Sequence, residues 1–188
     1  MIIISIERNR SSFRAVRIKI FTVSGPVNIM KAEIAIRFKS RVSLLITGIK
    51  MGYLQEIKRR GRVSNPFFIM MGIDVESFGN GQTELSMQVR PDMQNGVGWL
   101  QGGLYTAICD EAMALALLII LENGEQIATI SESTSYLEGV RSGKIIAKGK
   151  VVKKGRHVAF TEGCVKKADG DETVLSQTRA SFAVIKKP

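Results

Sequence analysis

The chain has 188 residues, 45% hydrophobic and 23% charged, a composition that fits one ordinary globular domain and excludes disordered or collagen-like chains. A formal net charge of +10 would suit a nucleic-acid or acidic-membrane partner if it were spread over the fold, but residues 1–50 carry ten Lys/Arg against two Glu. The other 138 residues balance at +2, and the longest uninterrupted apolar run, Ala112 to Leu121, has 10 residues, about half of a bilayer span.

Residues 1–50 are therefore treated as a basic N-terminal extension and 51–188 as the main domain, with neither nucleic acid nor membrane expected as a partner. Within the extension, Arg14 to Ile20 and Glu33 to Lys39 alternate in polarity and read as two short strands broken at Ser24 to Pro26. The segment fits a basic targeting peptide, an added β-hairpin, or upstream sequence joined to a shorter gene product. The last is favoured, because Met51 opens a stretch with the pattern of a domain start; Met30 is a second candidate start. Cys109 and Cys164 are too few for a disulfide framework and fit reduced, buried thiols, so a cytoplasmic location is expected.

From Met51 to Arg62 the pattern is a short basic helix, after which Asn65-Pro66-Phe67-Phe68 turns the chain toward a strand at Ile73 to Phe78. Gly79-Asn80-Gly81 makes a tight turn, and Thr83 to Arg90 sets Leu85, Met87 and Val89 on one face against Glu84, Ser86 and Gln88. A Gly- and Asn-rich loop over Pro91 to Gly98 leads into Leu104 to Leu121, 18 residues in which only Asp110 and Glu111 are charged. A helix apolar on almost every side must be surrounded by other structure. Asn123-Gly124 is expected to end it, and four strands follow near Ile127–Leu137, Lys144–Lys153, His157–Lys166 and Thr173–Ile185. The order β-β-α-β-β-β-β with short turns predicts an α+β fold, one antiparallel sheet curled around a single central helix.

A carboxylate inside an apolar helix needs a reason. Asp110 is flanked one and two turns away by Gly103, Thr106, Ala107 and Ala114, all small, which leaves room for a ligand or a second backbone. Its plain structural alternative is a salt bridge, an alternative that weighs more for Glu111. Gln101-Gly102-Gly103 stands at the start of the helix, where free N–H groups and the positive end of the dipole suit a carbonyl oxygen or a developing oxyanion. Together these features describe an acyl-transfer arrangement.

The run Asn95-Gly96-Val97-Gly98-Trp99-Leu100-Gln101-Gly102-Gly103-Leu104 followed by Asp110-Glu111-Ala112-Met113 resembles the core motif of hotdog-fold acyl-CoA thioesterases of the phenylacetate-pathway (PaaI-like) type. The resemblance continues through Tyr136 to Gly143, Gly155 to Phe160 and Ala180 to Val184, covers about residues 65–186, and includes none of the first 50. It implies that Asp110 is the catalytic carboxylate, acting as general base or nucleophile. It also implies that the Gly102 N–H polarises the thioester carbonyl, that Asn95 lies near the thioester or the attacking water, and that Thr129 orients water from a facing subunit. Ser131 and Ser133 are alternatives to Thr129. Gln101 stands where the family usually has His, and it cannot titrate near neutral pH.

The resemblance further implies a homodimer or homotetramer with shared sites and acyl-CoA as substrate, with no cofactor, since coenzyme A belongs to the substrate. Gly103, Arg141, Lys153 and Arg156 are candidate substrate-binding residues, with Lys144 and Lys154 as further cations for the CoA phosphates. Trp99, Tyr105 and Met113 are candidates for the acyl wall. One His, His157 in a basic turn, and two scattered Cys do not make a zinc site, so no metal is expected. The competing function is a non-catalytic acyl-CoA sensor with a basic N-terminal segment directed to DNA.

Overall fold

The structure is a computed structural model describing residues 3–8, 16–21, 52–170 and 173–186. The chain divides into two compact units, Met1–Val42 and Ser43–Pro188. In the first, β1 (Ile3–Arg8) pairs antiparallel with β2 (Val16–Phe21), from Ile3 opposite Phe21 to Arg8 opposite Val16. β2 matches the expected strand at Arg14 to Ile20. Its partner is Ile3–Arg8, which the polarity pattern did not single out, and the expected strand at Glu33 to Lys39 lies outside the described residues.

The first described elements of the second unit are α1 (52–60) and a 3-10 turn at Gly61–Ser64. A short helix, α2 (Pro66–Met71), follows where only a turn was expected: Asn65 Oδ1 accepts from the Phe67 N–H and Pro66 supplies a fixed φ at the first helical position. β3 (Ile73–Gly79) and β4 (Gln82–Val89) form the expected hairpin. Its two-residue turn places Asn80 at φ 49° and Gly81 at φ 71°, the doubly left-handed conformation that these residue types tolerate. Leu85, Met87 and Val89 are buried as the alternation requires.

The long helix α3 runs from Gly102 to Ile120. It ends before the Asn123-Gly124 turn: Leu121 is already extended at its C-cap, and Gly124 takes its left-handed φ of 81° in the next turn, which leads into the following strand. Four strands complete the sheet: β5 (Glu125–Tyr136), β6 (Gly143–Lys154), β7 (Val158–Lys167) and β8 (Val174–Lys186). All six pair antiparallel in the order β3-β4-β6-β7-β8-β5, so β5 crosses to the far edge. By length and composition α3 could cross a membrane. Its buried residues Tyr105, Ile108, Cys109, Ala112, Met113, Leu115, Ala116 and Leu117 instead form the core with the sheet.

The helix sits directly on the sheet backbone. Gly149 of β6 and Gly163 of β7 are cross-strand partners. A Cβ on Gly149 would stand 2.5 Å from the Ala112 carbonyl carbon, and one on Gly163 would stand 3.2 Å from Met113 Cγ and 3.4 Å from Cys109 Sγ. Alanine at position 149 must therefore push α3 off the sheet. We expect Gly149→Ala to lower unfolding free energy by about 2–3 kcal/mol in urea titrations, against a near-neutral Gly79→Ala. The control position has open space around it.

Glu111 is mostly buried on α3 and, among the described residues, forms none of the ion pairs that its plain structural reading called for. Burial first, and the charge of Asp110 second, push its carboxyl up from 4.5 to about 7. The folded state thus binds this proton more tightly than the unfolded chain, so the group costs nothing below about pH 4.5, destabilises increasingly as pH rises from there to about 7, and holds that full cost at higher pH. Glu111→Gln should raise stability by about 2–3 kcal/mol at pH 8 and leave it nearly unchanged at pH 4, as read from paired denaturation curves.

Candidate active site

The approach to α3 is fixed by a tightly sewn loop. Asn95 Oδ1 accepts from the backbone N–H groups of Val97 at 3.0 Å and Trp99 at 3.1 Å, while the Asn95 N–H donates to the Trp99 carbonyl at 2.7 Å. The side-chain oxygen of Asn95 is therefore occupied in holding the loop. Leu100 N–H donates to the Val140 carbonyl, and Gln94 Nε2 to the Arg141 carbonyl, which ties the loop to the segment after β5.

Gln101 is the N-cap of α3. Its Oε1 accepts from the Gly102 N–H at 3.0 Å, so the donor expected to polarise a carbonyl is satisfied by the side chain just before it. The Tyr136 ring covers one flank of Gly102, with Cε1 3.4 Å from where a Cβ would stand, whereas Gly103 has nothing within 4 Å of its corresponding position. The open space expected beside the helix start thus belongs to Gly103. The Tyr136 hydroxyl lies 3.0 Å from Thr106 Oγ1, which donates to Thr134 Oγ1 at 3.1 Å, and Thr134 in turn lies 3.0 Å from Thr178.

Two turns further on, Asp110 is half-buried and accepts a hydrogen bond from Thr129 Oγ1 at 3.2 Å. Burial raises its pKa, and the Thr129 hydroxyl opposes that shift by stabilising the ionised form. The two residues belong to the same chain, so Thr129 meets Asp110 without the facing subunit that the resemblance implied. Ser131 and Ser133 pair in register with Ser181 and Arg179, on the side of β8 opposite the buried Thr178, Ala180 and Phe182, so within one chain neither is on the face that carries Thr129. Glu132, beyond the irregularity between Thr129 and Ser131, has its pKa raised by burial and by Asp110. It was missed in the sequence, as were Thr134 and Thr178, and Thr106 was read only as a small neighbour of Asp110. The available signal was the polar run Thr129 to Tyr136 in a strand that ought to be half apolar.

The candidate CoA cations fall into two groups. Arg141 stacks over the Trp99 ring, 4.2 Å from its centroid, near the start of α3. Lys153, at the end of β6, and Arg156, in the β6–β7 turn, are exposed, and Lys154, the last residue of β6, pairs with Glu125 just past the end of α3. One chain therefore does not bring them together. Lys144 is bound to Glu76, and Lys154 is engaged with Glu125, which removes both as free cations. Of the acyl-wall candidates, Trp99 is partly exposed against Gly139, Tyr105 is buried with its hydroxyl accepting from the Val140 N–H, and Met113 is fully buried core. Among the described residues no group of three His, Cys, Asp or Glu side chains could hold a metal ion.

Comparison with known proteins agrees with this geometry. Residues 98–174 match the family model described as the thioesterase superfamily. A Haemophilus influenzae protein that carries an esterase name is 30% identical over 95 residues, covering 50% of this chain and 69% of that protein. Human acyl-coenzyme A thioesterase 13 is 26% identical over 117 residues, or 62% of this chain and 83% of the relative. The crystal structure of a Haemophilus influenzae thioesterase superposes with a TM-score of 0.61 at 25% identity, over 65% of this chain and 85% of that one. A six-stranded antiparallel sheet around one long helix, a carboxylate on that helix and these relatives together place the chain in the thioesterase superfamily, as a hotdog-fold thioester hydrolase.

Proposed function

We propose that this protein is an acyl-CoA thioesterase, hydrolysing the thioester to a free carboxylic acid and coenzyme A, with Asp110 as the general base or nucleophile. The observation that carries this reading is the half-buried Asp110, without a cation partner among the described residues and held by Thr129, on the helix whose first turn presents the glycine N–H groups. Burial favours the basic form of reactivity: a carboxylate with a raised pKa is a better proton acceptor, while the Thr129 hydrogen bond fixes which oxygen faces outward. The named human relative supports CoA as the thiol carrier.

The reading also calls for two copies. Gly102 and Asp110 are eight residues apart on one helix, a rise of about 12 Å, whereas a polarising donor and an attacking group must each lie about 3 Å from the same carbonyl. Two α3 helices set against each other would place Gly102 of one copy near Asp110 of the other. β5 supports that arrangement, because it is an edge strand with exposed residues on both faces, including Ile130 and Tyr136 at 57% exposure each. A non-catalytic acyl-CoA sensor is the second reading, favoured by the Gln101 oxygen lying on the Gly102 N–H.

The deciding measurement is a steady-state screen of short-chain, medium-chain and aryl acyl-CoAs. Asp110→Asn should cut turnover by about two to three orders of magnitude while size-exclusion elution stays unchanged. Full turnover in that variant would remove Asp110 from the chemistry, and binding without turnover in the wild type would establish the sensor.

Thr129→Val keeps the side-chain volume and deletes the donor. The hydroxyl lowers the pKa of Asp110, so its loss should move the acidic limb of the kcat/KM profile to higher pH. A fall in kcat of about tenfold should accompany the shift. An unmoved limb would show that Thr129 does not face the working carboxylate.

A further inference from the structure

We propose that Gln101 is a gate on the carbonyl-polarising donor of this site: its side-chain oxygen is a tethered stand-in for the substrate carbonyl, which must displace it to bind. The inference rests on the thioesterase reading above and adds a specific competition within it. Gln101 Oε1 lies 3.0 Å from the Gly102 nitrogen and accepts its N–H. An amide oxygen and a thioester carbonyl oxygen are both sp2 acceptors, so one N–H directed at one point holds one or the other.

The surroundings make this a displacement along a single route. On one flank the Tyr136 ring packs against Gly102, its hydroxyl kept in place by Thr106. Gly103 leaves the neighbouring face open. The backbone of Gln101 is fixed, its N–H donating to the Met93 carbonyl at 2.9 Å and its own carbonyl accepting from Leu104 at 2.9 Å. The side chain is exposed, so it can swing into solvent without disturbing that backbone. A ligand carbonyl entering over Gly103 therefore meets a donor that is already satisfied, and its apparent affinity is reduced by the fraction of molecules in which Gln101 is closed.

The consequence separates ligands by whether they carry a carbonyl. Free CoA has none next to its sulfur and should be indifferent to Gln101. Acetonyl-CoA, a ketone thioether with no thioester bond to hydrolyse, needs the donor. Gln101→Ala removes the competing oxygen, whereas Gln101→Glu places a full negative charge at the positive end of α3, where it holds the N–H more firmly.

The test is calorimetric titration of wild type, Gln101→Ala and Gln101→Glu with acetonyl-CoA and with CoA at pH 8, alongside acyl-CoA turnover and thermal melting. Acetonyl-CoA should bind Gln101→Ala about fivefold tighter than wild type and Gln101→Glu about tenfold weaker, with KM following the same order. CoA affinity should be the same in all three. Equal or weaker acetonyl-CoA binding by Gln101→Ala would overturn the gate, and with wild-type turnover intact it would leave the thioesterase reading standing. A lowered melting temperature with no change in the affinity order would reduce Gln101 to a helix cap and overturn the gate equally. Neither turnover nor acetonyl-CoA binding in the wild type would overturn both.

Discussion

The structure depends on the contact between α3 and the bare backbone of the sheet. Gly149 and Gly163 lie opposite each other on the two central strands, and the helix backbone at Ala112 occupies the space where a side chain at 149 would be. That approach lets a six-stranded sheet close around one helix, and it accounts for the small residues on both sides of the contact. A helix held this near the sheet has little freedom to slide or rotate. The direction in which Asp110 points is consequently set by packing one to three residues away, at Cys109, Ala112 and Met113, none of which has any chemistry to perform.

The position of β5 against that helix is set by a second device. Ile127, Ala128 and Thr129 pair with Val184, Ala183 and Phe182 in strict alternation, and the register then slips by one residue before Ser131 pairs with Ser181. In an uninterrupted strand, residues three apart point to opposite faces. The extra residue allows Thr129 and Glu132 both to reach the neighbourhood of Asp110, one by hydrogen bond and one by charge. The slip also turns Ser131 and Ser133 outward, toward Ser181 and Arg179. Here a local irregularity selects which hydroxyl serves the carboxylate.

Much of this was legible in the sequence, for identifiable reasons. The all-round apolar character of residues 104–121 implied a surrounded helix, and the Gly-Asn-Gly turn and the alternation of Leu85, Met87 and Val89 implied a hairpin. Polarity periods and turn residues report on local backbone geometry, and the observed strands begin and end within about two residues of the expected ones. α2 was read as a turn because a six-residue helix offers too short a window for a helical period. The roles of Asn95 and Gln101 were not legible, since both side chains satisfy backbone groups of their own loop, and a one-dimensional pattern does not distinguish an oxygen held by the backbone from one offered to a ligand. Glu111 looked like half of a salt bridge; its burial beside Asp110, with no cation partner among the described residues, emerges only when the sheet is in place.

The same separation of scales bears on how the site is completed. Asp110, Glu111 and Glu132 crowd one region, and each has its pKa raised chiefly by burial. Nearby, the edge strand β5 is exposed on both faces. A lone chain thus leaves a polar, carboxylate-rich edge open while its glycine-rich helix start lies about two turns away. Pairing two such edges antiparallel would satisfy the unpaired backbone groups of β5 and bring the helix start of one copy toward the carboxylate of the other, so that a single act of association covers the edge and completes the site. On that reading the helix apolar enough to be buried, the glycines that let it sit on the sheet and the uncovered strand beside it are parts of one arrangement. On the two-copy reading each chain would hold half of the site, and symmetry would supply the other half.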